Sequence, residues 1–190
     1  GARRLCEAAG FTPVRYHDEM LRPLDDVLPE QHQVDGLRVV PWPLERADEI
    51  RAVKNAAFAD HWGSTPTSAA NWAKMTEGHG ARPDLSFVAV DAAGSIVAHC
   101  WCARYPDDDG LFGRRAAWIE SLGTLREWRG RGVASALISR ALQAFAADGL
   151  THASIGVDSA NPTGAARLYA ALGFEPVHRS ITHEITVAAT

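Results

Sequence analysis

The sequence predicts an α/β domain in which helices cover both faces of a mixed sheet. Three observations support this prediction. Strand-like apolar segments alternate with helical ones through the second half of the chain, residues 132–147 carry apolar side chains at helical spacing, and a Gly/Arg loop joins the strand-like stretch 116–125 to that helix. From residue 37 onward the predicted order is βααβββαβαβ. The chain has 190 residues, 46% of them hydrophobic, which is enough for a sizeable core.

Charge and cysteine content exclude several classes of protein. A net charge of −4 argues against a nucleic-acid-binding surface, and no apolar run approaches the ~18 residues of a membrane span. The opening Gly1-Ala2-Arg3-Arg4 is not followed by the apolar stretch of a signal peptide. Cys100 and Cys102 point the same way from one strand and lack the further ligands of a zinc site. We therefore expect buried free thiols, no metal, and a cytoplasmic protein.

The individual elements follow from local signals. A strand is predicted at 37–42, an amphipathic helix at 45–59, a short helix from Ser68 or Thr67 to Met75, and a hairpin formed by strands 86–91 and 95–105 around Gly94. Residues 106–110 are an acidic loop, and Gly123 in strand 116–125 permits a bulge. After helix 132–147 come a strand at 151–158, a helix that Asn161 caps and Gly173 ends, and a final strand or hairpin at 174–187.

The Gly/Arg loop before helix 132–147 can hold an anion. The first N–H groups of a helix have no internal partner, and the helix dipole is positive there. Gly130 and Gly132 let the backbone approach a ligand closely, while Arg129 and Arg131 add positive charge. An exposed basic loop is usually only solvated, and this one is neither a Walker loop nor a dinucleotide fingerprint. Its position between an apolar strand and an amphipathic helix favours a phosphate cradle.

Two motifs carry a family resemblance. The loop resembles the R/Q-x-x-G-x-G/A signature of the GNAT acyltransferases, as Arg129-Gly130-Arg131-Gly132-Val133-Ala134. Residues 161–174 are similar to the family's N-x-x-x-A-x-x-L-Y-x-x-x-G-F element. The resemblance implies a GNAT fold whose two central strands splay apart to admit the pantetheine arm of acetyl-CoA. It implies cofactor contacts from Leu122, Gly123, Thr124, Arg129, Gly130, Arg131, Gly132, Val133, Ala134, Asn161 and Ala165.

The resemblance also implies catalytic residues. Tyr169 matches the motif tyrosine, whose hydroxyl would donate a proton to the departing thiolate; without the motif it would be read as a core tyrosine. Glu120, in the strand that leads to the loop, is the candidate general base, and the alternative is a strand-end carboxylate paired with an arginine. Asp60, His61 and Trp62 lie between the first two helices, where the family binds its acceptor, although a surface loop with one packed tryptophan is an equal reading.

The chain contains an internal repeat with a fixed offset of 163 residues. It pairs Ala2 with Ala165, Leu5 with Leu168, Gly10-Phe11 with Gly173-Phe174, and Pro13-Val14 with Pro176-Val177. We therefore predict that residues 1–24 end an upstream GNAT-like domain, 25–36 form a linker and 37–190 form a second GNAT domain. This tandem organisation resembles the mycothiol synthase group. The upstream position equivalent to Tyr169 is Cys6, which predicts an upstream domain that is inactive or uses other chemistry.

The expected function is transfer of an acetyl group from acetyl-CoA to the primary amine of a small molecule. Two alternatives remain open: a protein or peptide N-acetyltransferase, and a non-catalytic acyl-CoA-binding regulatory domain. The expected partners are the amine acceptor and the upstream GNAT-like domain of the same chain, with neither nucleic acid nor membrane.

Overall fold

The computed structural model describes residues 1–25, 27–159 and 164–186. Within these residues seven strands form one sheet: β1 Thr12–Pro23, β2 Leu37–Pro41, β3 Phe87–Asp91, β4 Ile96–Arg104, β5 Ala116–Thr124, β6 His152–Asp158 and β7 Glu175–Glu184. Six α-helices accompany them: α1 Ala2–Ala8, α2 Ala47–Ala57, α3 Ala69–Glu77, α4 Asp109–Phe112, α5 Val133–Ala147 and α6 Ala165–Ala171. The order predicted from residue 37 onward is confirmed, except that α4 begins at Asp109, inside the stretch 106–110 that was predicted to be a loop.

The strand order of the sheet is β2-β3-β4-β5-β6-β1-β7. Every neighbouring pair is antiparallel except β5 and β6, which run parallel. Their pairing extends only from Ala116↔His152 to Ile119↔Ile155, although both strands continue beyond it. The predicted fold, a mostly antiparallel mixed sheet with splayed central strands and flanking helices, is confirmed.

Each face of the sheet is covered by its own hydrophobic cluster. On one face, α5 contributes the apolar stripe that its sequence predicts, with Leu137, Ile138, Leu142 and Phe145 fully buried. On the other face, α2 and α3 pack through Ile50, Val53 and Trp72 against the tryptophans Trp42 and Trp101. Ser68 caps α3 as predicted, because its Oγ accepts a hydrogen bond from the Asn71 N–H. No helix among the described residues has both the length and the apolar character needed to cross a membrane.

Strand β1 comes from the segment that the sequence analysis assigned to an upstream domain. It lies inside the sheet, paired with β6 from His17↔Asp158 to Pro23↔His152 and with β7 along its other edge. The sheet that carries the site therefore extends past the predicted linker to include these early residues.

The bulge predicted at Gly123 lies elsewhere. Gly123 pairs regularly with His99 of β4, whereas Glu120 is the extra residue between the pairs Trp101↔Ser121 and Cys102↔Ile119. A bulge increases the local twist of a strand, and this one falls where β5 parts from β6. Gly123 has a different role: a Cβ there would lie 2.6 Å from His99 Cε1, so the strand needs a residue without a side chain.

Candidate active site

A cleft of about 790 Å³ opens where β5 and β6 part. Most of the residues predicted for the site line it: Asp60, His61, Glu120, Leu122, Gly123, Thr124, Arg129, Gly130, Gly132, Val133, Ala134, Ala165 and Tyr169. Arg131 and Trp62 are not among the lining residues, and Asn161 lies outside the described residues. The splayed strands thus bring together residues from both sequence motifs and from the loop after α2.

The start of α5 has the properties of an anion cradle. Gly130 and Gly132 have φ angles of 73° and 82°, a left-handed conformation that side chains rarely adopt. Gly132 is the N-cap of α5 and supplies no side-chain cap. Among the described residues, the N–H groups of residues 133–135 have no hydrogen-bond acceptor; the first to find one is Ala136, which donates to Gly132 O at 3.0 Å. These open N–H groups at the positive end of a 15-residue helix attract an anionic group.

The two arginines of the loop have other partners. The Arg129 guanidinium forms a bidentate ion pair with Asp60, at 2.8 and 3.2 Å, and also donates to Ala57 O and Thr124 O. Arg131 stacks on Trp128, 4.9 Å from the ring centroid, and is exposed. The Arg129 side chain is therefore engaged within the protein, whereas the backbone N–H groups of residues 133–135 are open to an anion.

The backbone of β5 is open on the side that faces the cleft. Leu122, Gly123 and Thr124 pair with β4 on one edge, while β6 has already diverged from the other. In an antiparallel pair, alternate residues direct their N–H and C=O groups away from the partner strand. These groups face the gap between β5 and β6, where an extended amide-containing chain can pair with them.

Tyr169 is a buried residue of α6 that lines the cleft, with a relative exposure of 7%. Its hydroxyl makes no hydrogen bond in the part of the chain that the structure describes. Burial, with a smaller contribution from Cys100, raises the pKa of this phenol above its usual value. The hydroxyl is therefore protonated at neutral pH and available as a donor to a bound ligand.

Glu120 projects from the bulge of β5 into the same cleft and is exposed. Its Oε1 accepts a hydrogen bond of 3.1 Å from the Tyr105 hydroxyl. The predicted alternative, a pairing with an arginine, is not found among the described residues. A carboxylate with one neutral partner keeps acceptor capacity for a proton.

The predicted acceptor residues separate into two groups. Asp60 and His61 line the cleft, but the Asp60 carboxylate is engaged by Arg129, whose hydrogen bonds lower its pKa to about 2. The His61 ring packs edge-on against Phe58, with centroids 4.6 Å apart. Trp62 is 50% exposed and stacks with the Arg15 guanidinium at 5.1 Å.

Two polar residues of the site were missed from the sequence. Ser121 lines the cleft, and its Oγ lies 2.8 Å from Nε2 of the fully buried His99. Nδ1 of His99 is buried without a partner among the described residues, and burial lowers the pKa of the ring to about 3. A buried unpaired N–H is less favourable than an unpaired lone pair. The ring proton is therefore expected on Nε2, which leaves the Ser121 hydroxyl hydrogen free to donate elsewhere.

His99 stands within an apolar strand, where one histidine is normally read as core, so no sequence signal pointed to it. Ser121 lies within the strand predicted at 116–125, and no motif singled it out. The described residues contain no group of three or more His, Cys, Asp or Glu side chains that could hold a metal ion. Cys100 and Cys102 are buried and unlinked, as predicted, with 3.8 Å between their Sγ atoms.

Several solved structures resemble the chain. A GCN5-related N-acetyltransferase from Sphaerobacter thermophilus shares 29% identity over 96% of this chain and 55% of its own, with a TM-score of 0.80. A tandem GNAT protein from the clavulanic acid biosynthesis pathway shares 18% identity over 95% of this chain and 57% of its own, with a TM-score of 0.68. The NatC complex bound to Gag peptide and CoA shares 21% identity over 75% of this chain and 86% of the matched one, with a TM-score of 0.62.

The first two of these structures are longer proteins, and the chain spans little more than half of each. No match was found among curated protein sequences. Residues 47–174, about two thirds of the chain, match the Acetyltransferase (GNAT) family. This match and the splayed seven-stranded sheet agree, and the chain belongs to the GNAT acetyltransferase family.

Proposed function

We propose that the chain uses acetyl-CoA to acetylate the primary amine of a small-molecule acceptor. One observation carries the proposal: the uncapped start of α5, the open edge of β5 and the unpartnered Tyr169 hydroxyl all face one cleft. The open N–H groups of α5 suit an anionic diphosphate, and the open edge of β5 suits an amide-containing arm. The Tyr169 hydroxyl can supply the proton that a departing thiolate needs.

The reaction requires two proton movements. The amine nitrogen attacks the thioester carbonyl, and the C–S bond breaks to give an amide and a thiol. The amine loses its proton to the Glu120 carboxylate, directly or through water, and the thiolate takes a proton from the Tyr169 hydroxyl. Backbone N–H groups at residues 122–124 would polarise the thioester carbonyl. Asp60, whose carboxylate is paired with Arg129, and His61 would border the acceptor. Trp62 would also contact the acceptor, and Asn161 would contact the pantetheine or phosphate arm of acetyl-CoA.

A panel of amines tested with acetyl-CoA and thiol-release detection checks the proposal. We expect turnover with at least one small amine, and we expect Tyr169→Phe to lower kcat by about 10²-fold or more while the Kd for acetyl-CoA stays the same. Tyr16→Phe is the matched control, since that tyrosine lies on β1 outside the cleft lining. Peptides with free N-termini form a second arm. Turnover with peptides alone would favour the peptide enzyme, and binding without turnover would favour a regulatory domain.

We further propose that residues 1–24 end an upstream GNAT-like unit, 25–36 form a linker and 37–190 form the catalytic unit, in the manner of the mycothiol synthase group. The fixed 163-residue repeat and the greater length of the similar structures support this arrangement. The buried, unlinked Cys100 and Cys102 support a reducing compartment, for which we propose the cytoplasm. Cys6 at the position of Tyr169 supports an upstream unit without acetyl transfer, which assays on the separate unit would test.

A further inference from the structure

The two ends of the chain repeat one another in backbone detail as well as in sequence. Helices α1 and α6 each have seven residues and are offset by 163 positions. Each is followed by a glycine of positive φ, 86° at Gly10 and 84° at Gly173. The next N–H then donates to the carbonyl five residues earlier, from Phe11 to Cys6 O and from Phe174 to Tyr169 O, both at 3.0 Å. The sequence repeat therefore corresponds to one supersecondary unit, present twice.

The strands that follow, β1 and β7, pair with one another around a local twofold axis. At the centre of the pair His17 lies opposite Ser180, and these two residues are themselves equivalent under the 163-residue offset. Under the same offset Arg15 is equivalent to His178, and Thr182 is equivalent to Glu19. The pair Arg15↔Thr182 therefore corresponds to the pair Glu19↔His178, and both pairs are observed.

The irregularities of the pair obey the same symmetry. Between Pro13 and Arg15 the register skips Val14, and at the other end it skips Val177. Val14 and Val177 are equivalent under the offset, so the two strands bulge at matching positions. Bulges are specific local features rather than random defects, and a matched pair of them indicates that the two strands are related by symmetry.

This symmetry specifies what is missing beside β7. Strand β1 is paired on both edges, with β7 on one and β6 on the other, whereas β7 ends the sheet among the described residues. The twofold operation exchanges β1 with β7, and it carries β6 to the open edge of β7. An unpaired edge presents a row of N–H and C=O groups that are ready to pair with another strand.

Helix α1 lacks the packing that its equivalent has. It contains no buried residue, and Leu5 is 74% exposed. In α6 the equivalent Leu168 packs against the core and Tyr169 is buried. An isolated helix of seven residues is marginal in water, because helix formation needs about 12–15 residues or tertiary contacts. The described residues therefore provide no core against which the apolar side of α1 could pack.

We propose that the open edge of β7 and the exposed side of α1 form one interface, which an upstream GNAT-like unit occupies. Its strand equivalent to β6 pairs antiparallel with β7, its core receives α1, and the two units share one continuous sheet. In this arrangement each unit completes its sheet with the last strand of the other. The inference rests on the tandem arrangement proposed above.

The test compares residues 1–190 with the longer natural protein in which this chain follows the upstream unit. Leu5→Asp should leave the Tm of residues 1–190 unchanged and lower the Tm of the longer protein by about 5 °C or more, since a charge would then enter a core. Leu111→Asp is the matched control, because Leu111 is 79% exposed on α4, and it should be neutral in both proteins. In the unsubstituted proteins, amide hydrogens of residues 175–184 should exchange about 10-fold more slowly in the longer one.

Two results would overturn the interface: equal exchange of β7 in both proteins, or a Leu5→Asp substitution that is neutral in both. Protection of β7 that depends on protein concentration would assign the edge to a second copy and would also overturn it. Acetyl transfer is measured on the same samples, so that normal turnover with an unprotected β7 counts against the interface alone. A preceding segment without a GNAT-like unit would remove the tandem arrangement together with the interface.

Discussion

Gly123→Ala tests the reason for a glycine in the strand that lines the cleft. A Cβ at this position would lie 2.6 Å from His99 Cε1, 3.0 Å from Phe58 Cε2 and 3.1 Å from Ala57 Cβ. Carbon atoms in favourable contact are about 3.5–4.0 Å apart, so all three distances are too short. His99 is fully buried and hydrogen-bonded to Ser121, and its ring has no solvent into which to turn.

We expect Gly123→Ala to lower the free energy of unfolding by about 1–3 kcal/mol, the usual range for overpacking a buried site. If the His99 ring turned to relieve the contact, its bond to Ser121 would be lost at a comparable free energy, about 1 kcal/mol. For a chain of this size the expected decrease in Tm is about 2–4 °C per kcal/mol. Gly156→Ala is the matched control: it lies on β6 across the cleft, and its Cβ would meet nothing within 4 Å.

Urea denaturation measures the free energy of unfolding of Gly123→Ala, Gly156→Ala, His99→Ala and the double variant Gly123→Ala/His99→Ala. Gly156→Ala should be neutral or stabilising by about 0.5 kcal/mol, because it restricts the unfolded chain. In a His99→Ala background the shortest of the three contacts is absent, and the effect of Gly123→Ala should become smaller, with only the contacts to Phe58 and Ala57 remaining. The reasoning would be refuted if Gly123→Ala were as stable as the Gly156→Ala control, or if its full destabilisation persisted without the His99 ring.

Three further predictions concern the polar residues around the cleft. Ser121→Ala leaves both ring nitrogens of His99 unpaired and should lower the free energy of unfolding by about 1–3 kcal/mol, measured in urea; a neutral result would contradict the assigned bond. Burial lowers the pKa of His99 from 6.5 to about 3, so between these pH values the unfolded chain binds a proton that the native state does not. The free energy of unfolding is therefore highest above pH 6.5 and falls by about 1.4 kcal/mol for each pH unit below it. The His99→Gln variant should lack this slope. Hydrogen bonds from Arg129 lower the pKa of Asp60 to about 2, so the stability that the ion pair contributes is present above the ordinary pKa of Asp60 and is lost as the pH falls through about 2. The difference in free energy of unfolding between wild type and Asp60→Asn should therefore disappear between pH 5 and 2. A constant difference would argue against the ion pair.

Most of the fold could be predicted from periodicity and caps. The apolar spacing of α5, the cap at Ser68 and the turn at Gly94 are local signals, and each was confirmed because local chemistry decides it. The place of β1 within the sheet was not predicted, since residues 12–23 pair with residues at least 129 positions away, as in Pro23↔His152, and no local pattern encodes that pairing. The bulge was assigned to Gly123 because glycine is a common bulge residue, whereas the extra residue is Glu120, where the strands must part.

The candidate site shows the same division between local and long-range information. The motif residues of the loop and α6 were predicted to lie together, and the structure brings most of them to one cleft, with Arg131 outside its lining. The pairing of His99 with Ser121 across two strands depends on the register of β4 and β5, which the sequence does not state. Trp62 was grouped with Asp60 because both lie between the first two helices, but the Arg15 guanidinium of β1 stacks on its ring, and β1 lies between β6 and β7 in the sheet.

The position of Arg129 changes the physical role that its motif assigns to it. As part of a basic loop it was expected to meet phosphates with its charge, but its guanidinium joins three elements instead: Thr124 O at the end of β5, Ala57 O at the end of α2, and Asp60 beyond α2. An arginine suits this task because its planar group carries five donors in a fixed geometry. Arg129 thereby fixes the start of the anion cradle to the loop that borders the proposed acceptor region. This contact holds the proposed acceptor region and the cradle in a fixed relative position. Such a fixed position is required if a ligand bound at the N–H groups of α5 is to have its thioester beside Tyr169.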